Sequence, residues 1–336
     1  MALSFRRSRS KGPSDPQHSP ARNGVSTVSR ETVVTLPDGP RRAAFDRADD
    51  DWETNGDDGA DASTAAPTLV LPRPAQPRVI VVANQKGGVG KTTTAVNIAA
   101  ALAFGGLNVL VIDTDPQGNA STALGVEHGA GTAGTYEVLL DHARIKDLAQ
   151  RSPHTPNLHV LPAAIDLATA ELELVNEPGR ETRMKRALAD YLAESDVDYV
   201  FLDCPPSLGL LTLNALVAAT EIMVPIQCEY YALEGVSQLV RTINRVKGNL
   251  NDELQLSTVV LTMFDSRNNL SREVAREVRT HFGQQTLDVE IPRSVRIAEA
   301  PSYGHTVLTY QPKSAGAVAY VQAAEQIAKS CTQEDQ

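Results

Sequence analysis

The chain has few of the features that mark disulfide-rich, zinc-binding or membrane proteins. Its 336 residues include only three cysteines, Cys204, Cys228 and Cys331, and these form no CxxC pair. A disulfide framework or a structural zinc site would need more thiols, or thiols closer together, so we expect a reducing, cytoplasmic compartment. No run of about 18 apolar residues occurs, and we therefore predict no membrane-spanning helix.

Aromatic residues are also scarce, at 4% of the chain, although 42% of all residues are hydrophobic. Alanine and aliphatic side chains must therefore form the core, which favours a buried parallel sheet flanked by helices over an aromatic-rich β-sandwich. The formal net charge of −10 argues against a surface that is basic all over for nucleic acid. A local basic patch is compatible with that charge.

Composition divides the chain near residue 76. Residues 1–76 are rich in small, polar and charged side chains and poor in large apolar ones, so we expect a disordered tail. Basic residues predominate in 6–47 and acids in 49–61, which is typical either of a tether for a partner or of a solvated linker. We predict one folded domain over 77–331 and a short acidic tail over 332–336.

Continuous apolar runs alternate with helix-like segments throughout the predicted domain. The predicted strands are 79–83, 108–112, 158–161, 199–203, 221–226, 257–263 and 286–291. The predicted helices are 91–104, 135–150, 180–195, 208–219, 232–249, 271–281 and 314–330. This alternation predicts an α/β fold, a doubly wound and mainly parallel sheet, in which ligands lie beyond the carboxyl ends of the strands.

The segment NQKGGVGKTTT follows the first predicted strand and leads into the first predicted helix. Its glycines would bring backbone N–H groups close to phosphate oxygens, where side chains would block the approach. Lys91 would reach the β- and γ-phosphates of ATP, and Thr92 would offer a hydroxyl to Mg²⁺. The predicted nucleotide-binding residues of this P-loop are Lys86, Gly87, Gly88, Val89, Gly90, Lys91, Thr92 and Thr93.

The loop departs from the pattern GxxxxGK[ST] at its first position, where Gln85 replaces glycine. Lys86 follows directly and gives the loop a second lysine. A glycine-rich turn with solvated lysines would explain neither the run of threonines nor the acids further along the chain.

Three aspartates end two of the predicted strands. Asp113 and Asp115 follow the strand NVLVI, and Asp203 ends the strand YVFLD in the manner of a Walker B acid. We predict that Asp113 and Asp203 support the magnesium shell with Thr92, and that Asp115 orients or deprotonates the attacking water. Helix-capping turn acids are the alternative interpretation of Asp113 and Asp115.

With its two-lysine loop, DTDPQGN (113–119) and VFLDCPPS (200–207), the chain resembles the deviant-Walker ATPases of the ParA/MinD superfamily. The ParA/Soj family of chromosome and plasmid partitioning proteins is the most similar group. The resemblance covers about residues 78–330 and includes the three further segments PIQCEYYALEG (225–235), VVLTMFDSRNNLS (259–271) and VRIAEAPSYG (295–304).

The resemblance implies slow ATP hydrolysis with Mg²⁺, coupled to the formation of a homodimer that encloses two ATP molecules. Lys86 would reach the partner's phosphates and, with Lys91 and Asp115, complete the catalytic set. The family's ATP dimer binds DNA without sequence preference on the nucleoid, and a ParB-type protein stimulates hydrolysis and releases it.

The resemblance also indicates candidate contacts to DNA and adenine. The candidates for DNA phosphates are Arg267, Arg293, Arg296 and Lys313, with Arg272, Arg276 and Arg279 as further possibilities. Pro292 would pack near the base, and Ser294 stands where the family usually has asparagine. Each arginine or lysine taken alone could instead be an ordinary solvated charge.

Other members of the superfamily fit the sequence less well. MinD-type proteins end in a basic amphipathic helix, whereas the segment 319–336 is nearly free of basic residues and ends acidic. Iron–sulfur relatives need paired cysteines, and the related tyrosine kinases have a C-terminal tyrosine cluster. A MinD-like membrane or protein-positioning ATPase, and a scaffold that binds ATP without a role on DNA, remain the alternatives.

Overall fold

A computed structural model describes residues 69–230 and 232–330, without the side chains of 232–238. The charged part of the predicted N-terminal tail, Cys331 and the predicted acidic tail lie outside these residues. The packed unit begins before the predicted boundary at 77. Leu71 is buried, its N–H donates to the carbonyl of Gly105, and Arg73 pairs with Asp198.

Eight strands form one sheet in the described residues. They are β1 (Arg78–Val82), β2 (Val109–Asp113), β3 (Gln150–Arg151), β4 (Leu158–Leu161), β5 (Tyr199–Asp203), β6 (Glu221–Gln227), β7 (Gln255–Phe264) and β8 (Thr286–Pro292). Their order is β3-β4-β2-β5-β1-β6-β7-β8, and every pairing is parallel except that of β3 with β4. The predicted doubly wound, mainly parallel sheet is therefore confirmed.

Helices cover both faces of this sheet. They are α1 (Lys91–Phe104), α2 (Asn119–Ala123), α3 (Thr135–Leu140), α4 (Ile145–Leu148), α5 (Leu167–Leu174), α6 (Arg183–Glu194), α7 (Leu210–Ala218), α8 (Ala232–Asn249), α9 (Asn269–Phe282), α10 (Val295–Glu299), α11 (Val307–Tyr310) and α12 (Ala315–Ser330). Two short 3₁₀ segments span Gly283–Gln285 and Ala300–Tyr303. Apolar residues of α3 to α9 pack on one face, and those of α1, α2 and α10 to α12 pack on the other.

The strands are buried because side chains from both faces enter a core. In β1, Val79 and Val81 contribute to one core, while Ile80 and Val82 contribute to the other. This explains the continuous apolar runs, since a strand covered on both sides has no solvated face. None of the helices in residues 69–230 and 232–330 combines the length and the hydropathy that a membrane span requires.

The prediction of a single helix over 135–150 is wrong. The chain forms α3 and α4 instead, and His142 between them adopts a left-handed conformation with φ 56°. The N–H of Ala143 closes the end of α3 by donating to the carbonyl of Glu137 at 3.1 Å. Glycine usually occupies such a position, so a sequence without Gly or Pro between 135 and 150 gives no sign of the break.

Candidate nucleotide-binding site

The loop between β1 and α1 is shaped by two glycines in the left-handed region. Gly88 has φ 74° and Gly90 has φ 88°, a conformation that other residues adopt only with strain. Side-chain atoms added at Gly87 or Gly88 would meet nothing within 4 Å, so the loop is open on that side. The residues present therefore leave room for an anion next to the backbone.

The base of the loop is tied to the sheet by Asn84. Its side-chain amide donates to the carbonyl of Pro225 on β6 at 2.8 Å. Its side-chain oxygen accepts the N–H of Lys86 at 3.0 Å. Asn84 directly follows the predicted first strand, and no motif in the sequence marks it for this role.

Lys91 begins α1 and is 8% exposed. Burial lowers the pKa of its ammonium group, while the neighbouring Asp203, Cys204 and Asp115 act in the opposite direction. The structure thus places the predicted loop lysine among the predicted acids. Thr92 and Thr93 follow it in the first turn of α1, and both are partly buried.

Asp203 is fully buried at the end of β5, and neither of its carboxylate oxygens has a hydrogen-bond partner among the described residues. Burial first, and then the charge of Asp113, raises the pKa of Asp203 well above its ordinary value. The hydroxyl of Thr92 lies near enough to offset part of this rise. No donor among the described residues makes a full hydrogen bond to this buried carboxylate, so it needs a cation or bound water, and the site fits Mg²⁺.

Asp113 pairs in register with Asp203 across β2 and β5, but its carboxylate has partners. One oxygen accepts the N–H of Asp115 at 3.1 Å, and the other accepts the N–H and hydroxyl of Ser121 at 2.9 and 2.7 Å. Burial nevertheless raises the pKa of Asp113 to about 6. Asp113 therefore orders the turn into α2 as well as adding negative charge beside Asp203.

Asp115 lies in that turn and is 8% exposed. One carboxylate oxygen accepts the N–H of Gln117 at 3.0 Å, which fixes the side chain at the start of the turn. Ser121, which holds Asp113, is on the short helix α2 that the sequence analysis missed. Ser121 lies eight residues after Asp113, and this spacing is not typical of any motif.

The second lysine is at the rim of the site. Lys86 forms an ion pair with Glu229 at 3.1 Å, and the two side chains are 36% and 50% exposed. Glu229 follows the carboxyl end of β6, within the segment PIQCEYYALEG. Lys86 is therefore partly accessible to solvent, unlike the buried Lys91.

Two of the predicted DNA contacts lie close together after β7 and β8. The side chain of Arg267 is 91% exposed and pairs with Asp265 at 3.2 Å, while Arg293 is exposed and helps to lower the pKa of Asp265. Arg296 on α10 is exposed and pairs with Glu299. Lys313 is exposed in the turn before α12.

The arginines of α9 differ in availability. Arg272 and Arg276 are exposed, and the side chain of Arg272 bonds to Asn269. Arg279 is bound to β8 by an ion pair with Glu290 at 2.6 Å, and its side chain is 35% exposed. Arg279 would therefore have to leave Glu290 before it could contact a DNA phosphate.

Pro292 and Ser294, the predicted adenine neighbours, are at the same sheet edge as the loop. Pro292 ends β8 opposite Phe264, and Ser294 directly precedes α10. Because β1 and β5 to β8 are parallel, their carboxyl ends meet on this edge. Among the described residues, no hydrogen bond joins either of them to the phosphate loop.

A doubly wound sheet, a glycine-shaped loop before a helix, and buried acids beside the loop lysine together define a P-loop nucleotide-binding protein. The family model described as AAA domain matches residues 77–256. The chromosome partitioning protein ParA of Caulobacter vibrioides is 50% identical over 250 residues, which cover 74% of this chain and 93% of that relative. The chain belongs to the ParA/Soj family of chromosome-partitioning ATPases.

A second relative agrees with this family, and a solved structure that carries another enzyme name agrees with the fold. The sporulation initiation inhibitor protein Soj of Bacillus subtilis is 47% identical over 251 residues, 75% of this chain and 98% of that relative. The structure of cobyrinic acid a,c-diamide synthase from Mycobacterium smegmatis, with bound ADP and magnesium, matches with a TM-score of 0.66 and 40% identity. It covers 77% of this chain and 97% of that one.

Proposed function

We propose that this protein is an ATP-hydrolysing DNA-partitioning protein that binds DNA as an ATP-dependent dimer. The observation that carries the proposal is one phosphate loop with two lysines in different settings. Lys91 is buried beside Asp203, whereas Lys86 is half-exposed at the rim. One lysine is positioned for nucleotide bound to its own subunit, and the other is available to a second subunit.

ATP and Mg²⁺ are the proposed ligands, and a relative of the same fold is described with ADP and magnesium. Residues 86–93 would hold the phosphates through backbone N–H groups and Lys91. Thr92 and Asp203 would hold Mg²⁺, supported by Asp113. When bound, Mg²⁺ neutralises phosphate charge; in this site it would also offset the buried carboxylate of Asp203.

Asp115 is the proposed base or orienting group for the attacking water. It is largely buried and held by the N–H of Gln117, so it is oriented before substrate arrives. A fixed carboxylate of this kind lowers the cost of positioning water. Lys91 would stabilise negative charge that develops on the transferred phosphoryl group.

Lys86 is proposed to act on the nucleotide of the partner subunit in a homodimer. Its ion pair with Glu229 would have to open, and such half-exposed pairs contribute only about 0–1 kcal/mol. A cation supplied by the partner makes dimerisation depend on ATP, in the way that an arginine finger completes a site in trans.

The proposed DNA surface is the group Arg267, Arg293, Arg296 and Lys313, with Arg272 and Arg276 of α9 nearby in sequence. All are exposed on a chain whose net charge is −10, so contact with phosphates would rest on this local patch. Such contacts carry no base specificity and would place the protein on the nucleoid. Pro292 and Ser294 are proposed to lie near adenine.

The ATPase rate of the full chain, measured alone, with duplex DNA, with a ParB-type protein and with both, tests the proposal. We expect a low basal rate and the largest rate with both partners. Glu229→Gln serves as a matched variant for Lys86→Ala, because each removes the same ion pair but only the latter removes the lysine. A chain that binds ATP but shows the same rate in all four mixtures would favour the ATP-binding scaffold instead.

A further inference from the structure

The structure contains a buried hydrogen bond between β7 and the phosphate loop. The hydroxyl of Thr262, a residue that is 2% exposed, donates to the backbone carbonyl of Val89 at 2.8 Å. Val89 lies between Gly88 and Gly90, the two glycines in the left-handed region. From this we infer that Thr262 is a positioning residue that sets the orientation of the phosphate loop. The inference rests on the proposed ATP site.

The geometry of the peptide bond explains why this contact matters. A trans peptide is planar, and its C=O and N–H groups point in opposite directions. The carbonyl of Val89 and the N–H of Gly90 belong to one peptide, so holding the carbonyl toward β7 directs that N–H to the other side. That N–H is one of the loop donors available to a phosphate.

Without the hydroxyl, this peptide would be easy to turn over. A peptide flip changes ψ of Val89 and φ of Gly90, and glycine accepts positive and negative φ at little cost. The same glycine that makes the loop possible therefore also makes it adaptable. Thr262 restricts that freedom before the nucleotide arrives, and binding sites gain affinity when such ordering precedes binding.

Thr262 is itself held in place. Its carbonyl accepts the N–H of Cys228 at 3.2 Å, and the carbonyl of Cys228 accepts the hydroxyl of Ser271 at the start of α9. The next residue, Met263, has φ 52°, an uncommon conformation for a residue other than glycine. These hydrogen bonds and the conformation of Met263 fix the backbone at the end of β7, where Thr262 contacts the loop.

Thr262→Val tests the inference because it keeps the shape of the side chain and removes the donor. The variant must order this peptide when ATP binds, so we expect ATP to bind about threefold to tenfold more weakly, a loss of about 1 kcal/mol. Thr262→Ser keeps the hydroxyl and should restore the affinity. The matched control is Thr258→Val on the same strand, where Thr258 is 4% exposed and its hydroxyl bonds to Ser257 instead of the loop.

The assay is equilibrium binding of a non-hydrolysable ATP analogue to the full chain with Mg²⁺, alongside the melting temperature of each variant. Weak binding confined to Thr262→Val supports the inference. Equal affinities of Thr262→Val and Thr258→Val, or failure of Thr262→Ser to restore binding, would overturn it. If Thr262→Val does not fold, Thr262→Cys, a weak donor, replaces it under the same criteria. Absence of binding by the unmodified chain would instead refute the proposed ATP site.

Discussion

Asp203→Asn should stabilise the protein when no nucleotide or metal is present. This carboxylate is fully buried and has no hydrogen-bond partner among the described residues, and its burial, with the nearby charge of Asp113, raises its pKa above the ordinary 3.8. A raised pKa means that the folded state binds the proton more tightly than the unfolded chain, so stability is lost as the pH rises above about 4.

The size of the effect at pH 7 has a firm upper limit. The interval from 3.8 to 7 is about three pH units, and each unit corresponds to 1.36 kcal/mol, so the cost cannot exceed about 4 kcal/mol. The asparagine amide would also be buried without partners, which costs about 1–3 kcal/mol. We therefore expect a net gain of at most about 3 kcal/mol, measured as a higher melting temperature.

Thermal unfolding at pH 7, first in EDTA and then with Mg²⁺ and ATP, measures the change in stability that Asp203→Asn causes. The unmodified chain should gain stability on adding both ligands, and Asp203→Asn should lose most of that gain. Asp198→Asn is the control, since Asp198 is also buried but accepts the N–H of Asn108 at 2.7 Å and pairs with Arg73. If Asp203→Asn lowered the melting temperature in EDTA as Asp198→Asn should, the reasoning about an unpartnered carboxylate would fail.

Three other outcomes follow from the site. Because burial raises the pKa of Asp113 to about 6, the midpoint of urea unfolding without ligands should fall as the pH rises from about 4 to 6. Lys86→Ala should still bind ATP but form no ATP-dependent dimer by light scattering; a normal dimer would contradict its role in trans. Replacing Arg267 and Arg293 by alanine should lower the salt slope of DNA binding by about 2, whereas replacing Arg144, another exposed, aspartate-paired arginine, should not.

The sequence predicts the central part of this fold well because its signals there are local and physical. The helix α1 starts and ends where the sequence analysis placed it, since the glycine loop precedes it and Gly105 and Gly106 follow. The strands are continuous apolar runs, and the acids at their carboxyl ends must share one edge in a parallel sheet. Lys91, Asp115 and Asp203 are close together for that reason.

Other parts of the site depend on contacts between distant segments. Thr262 is 173 positions from Val89 along the chain, and Glu229 is 143 from Lys86. Neither the periodicity of apolar residues nor the spacing within a motif predicts contacts between residues so far apart in the chain. The same applies to Asp113: the sequence shows an acid at a strand end but not that Ser121 already occupies one carboxylate oxygen.

The rate of phosphate release from ATP by the full chain, compared with Asp115→Ala, tests the central claim most directly. Asp115 accepts the N–H of Gln117 and is not part of the phosphate loop. Its loss should therefore leave ATP binding largely intact. Removing such a group should reduce turnover by about 10²-fold or more. A Mg²⁺-dependent rate that falls in this way is the predicted result. Equal rates for the two proteins, or no Mg²⁺-dependent release by the unmodified chain, would contradict the account.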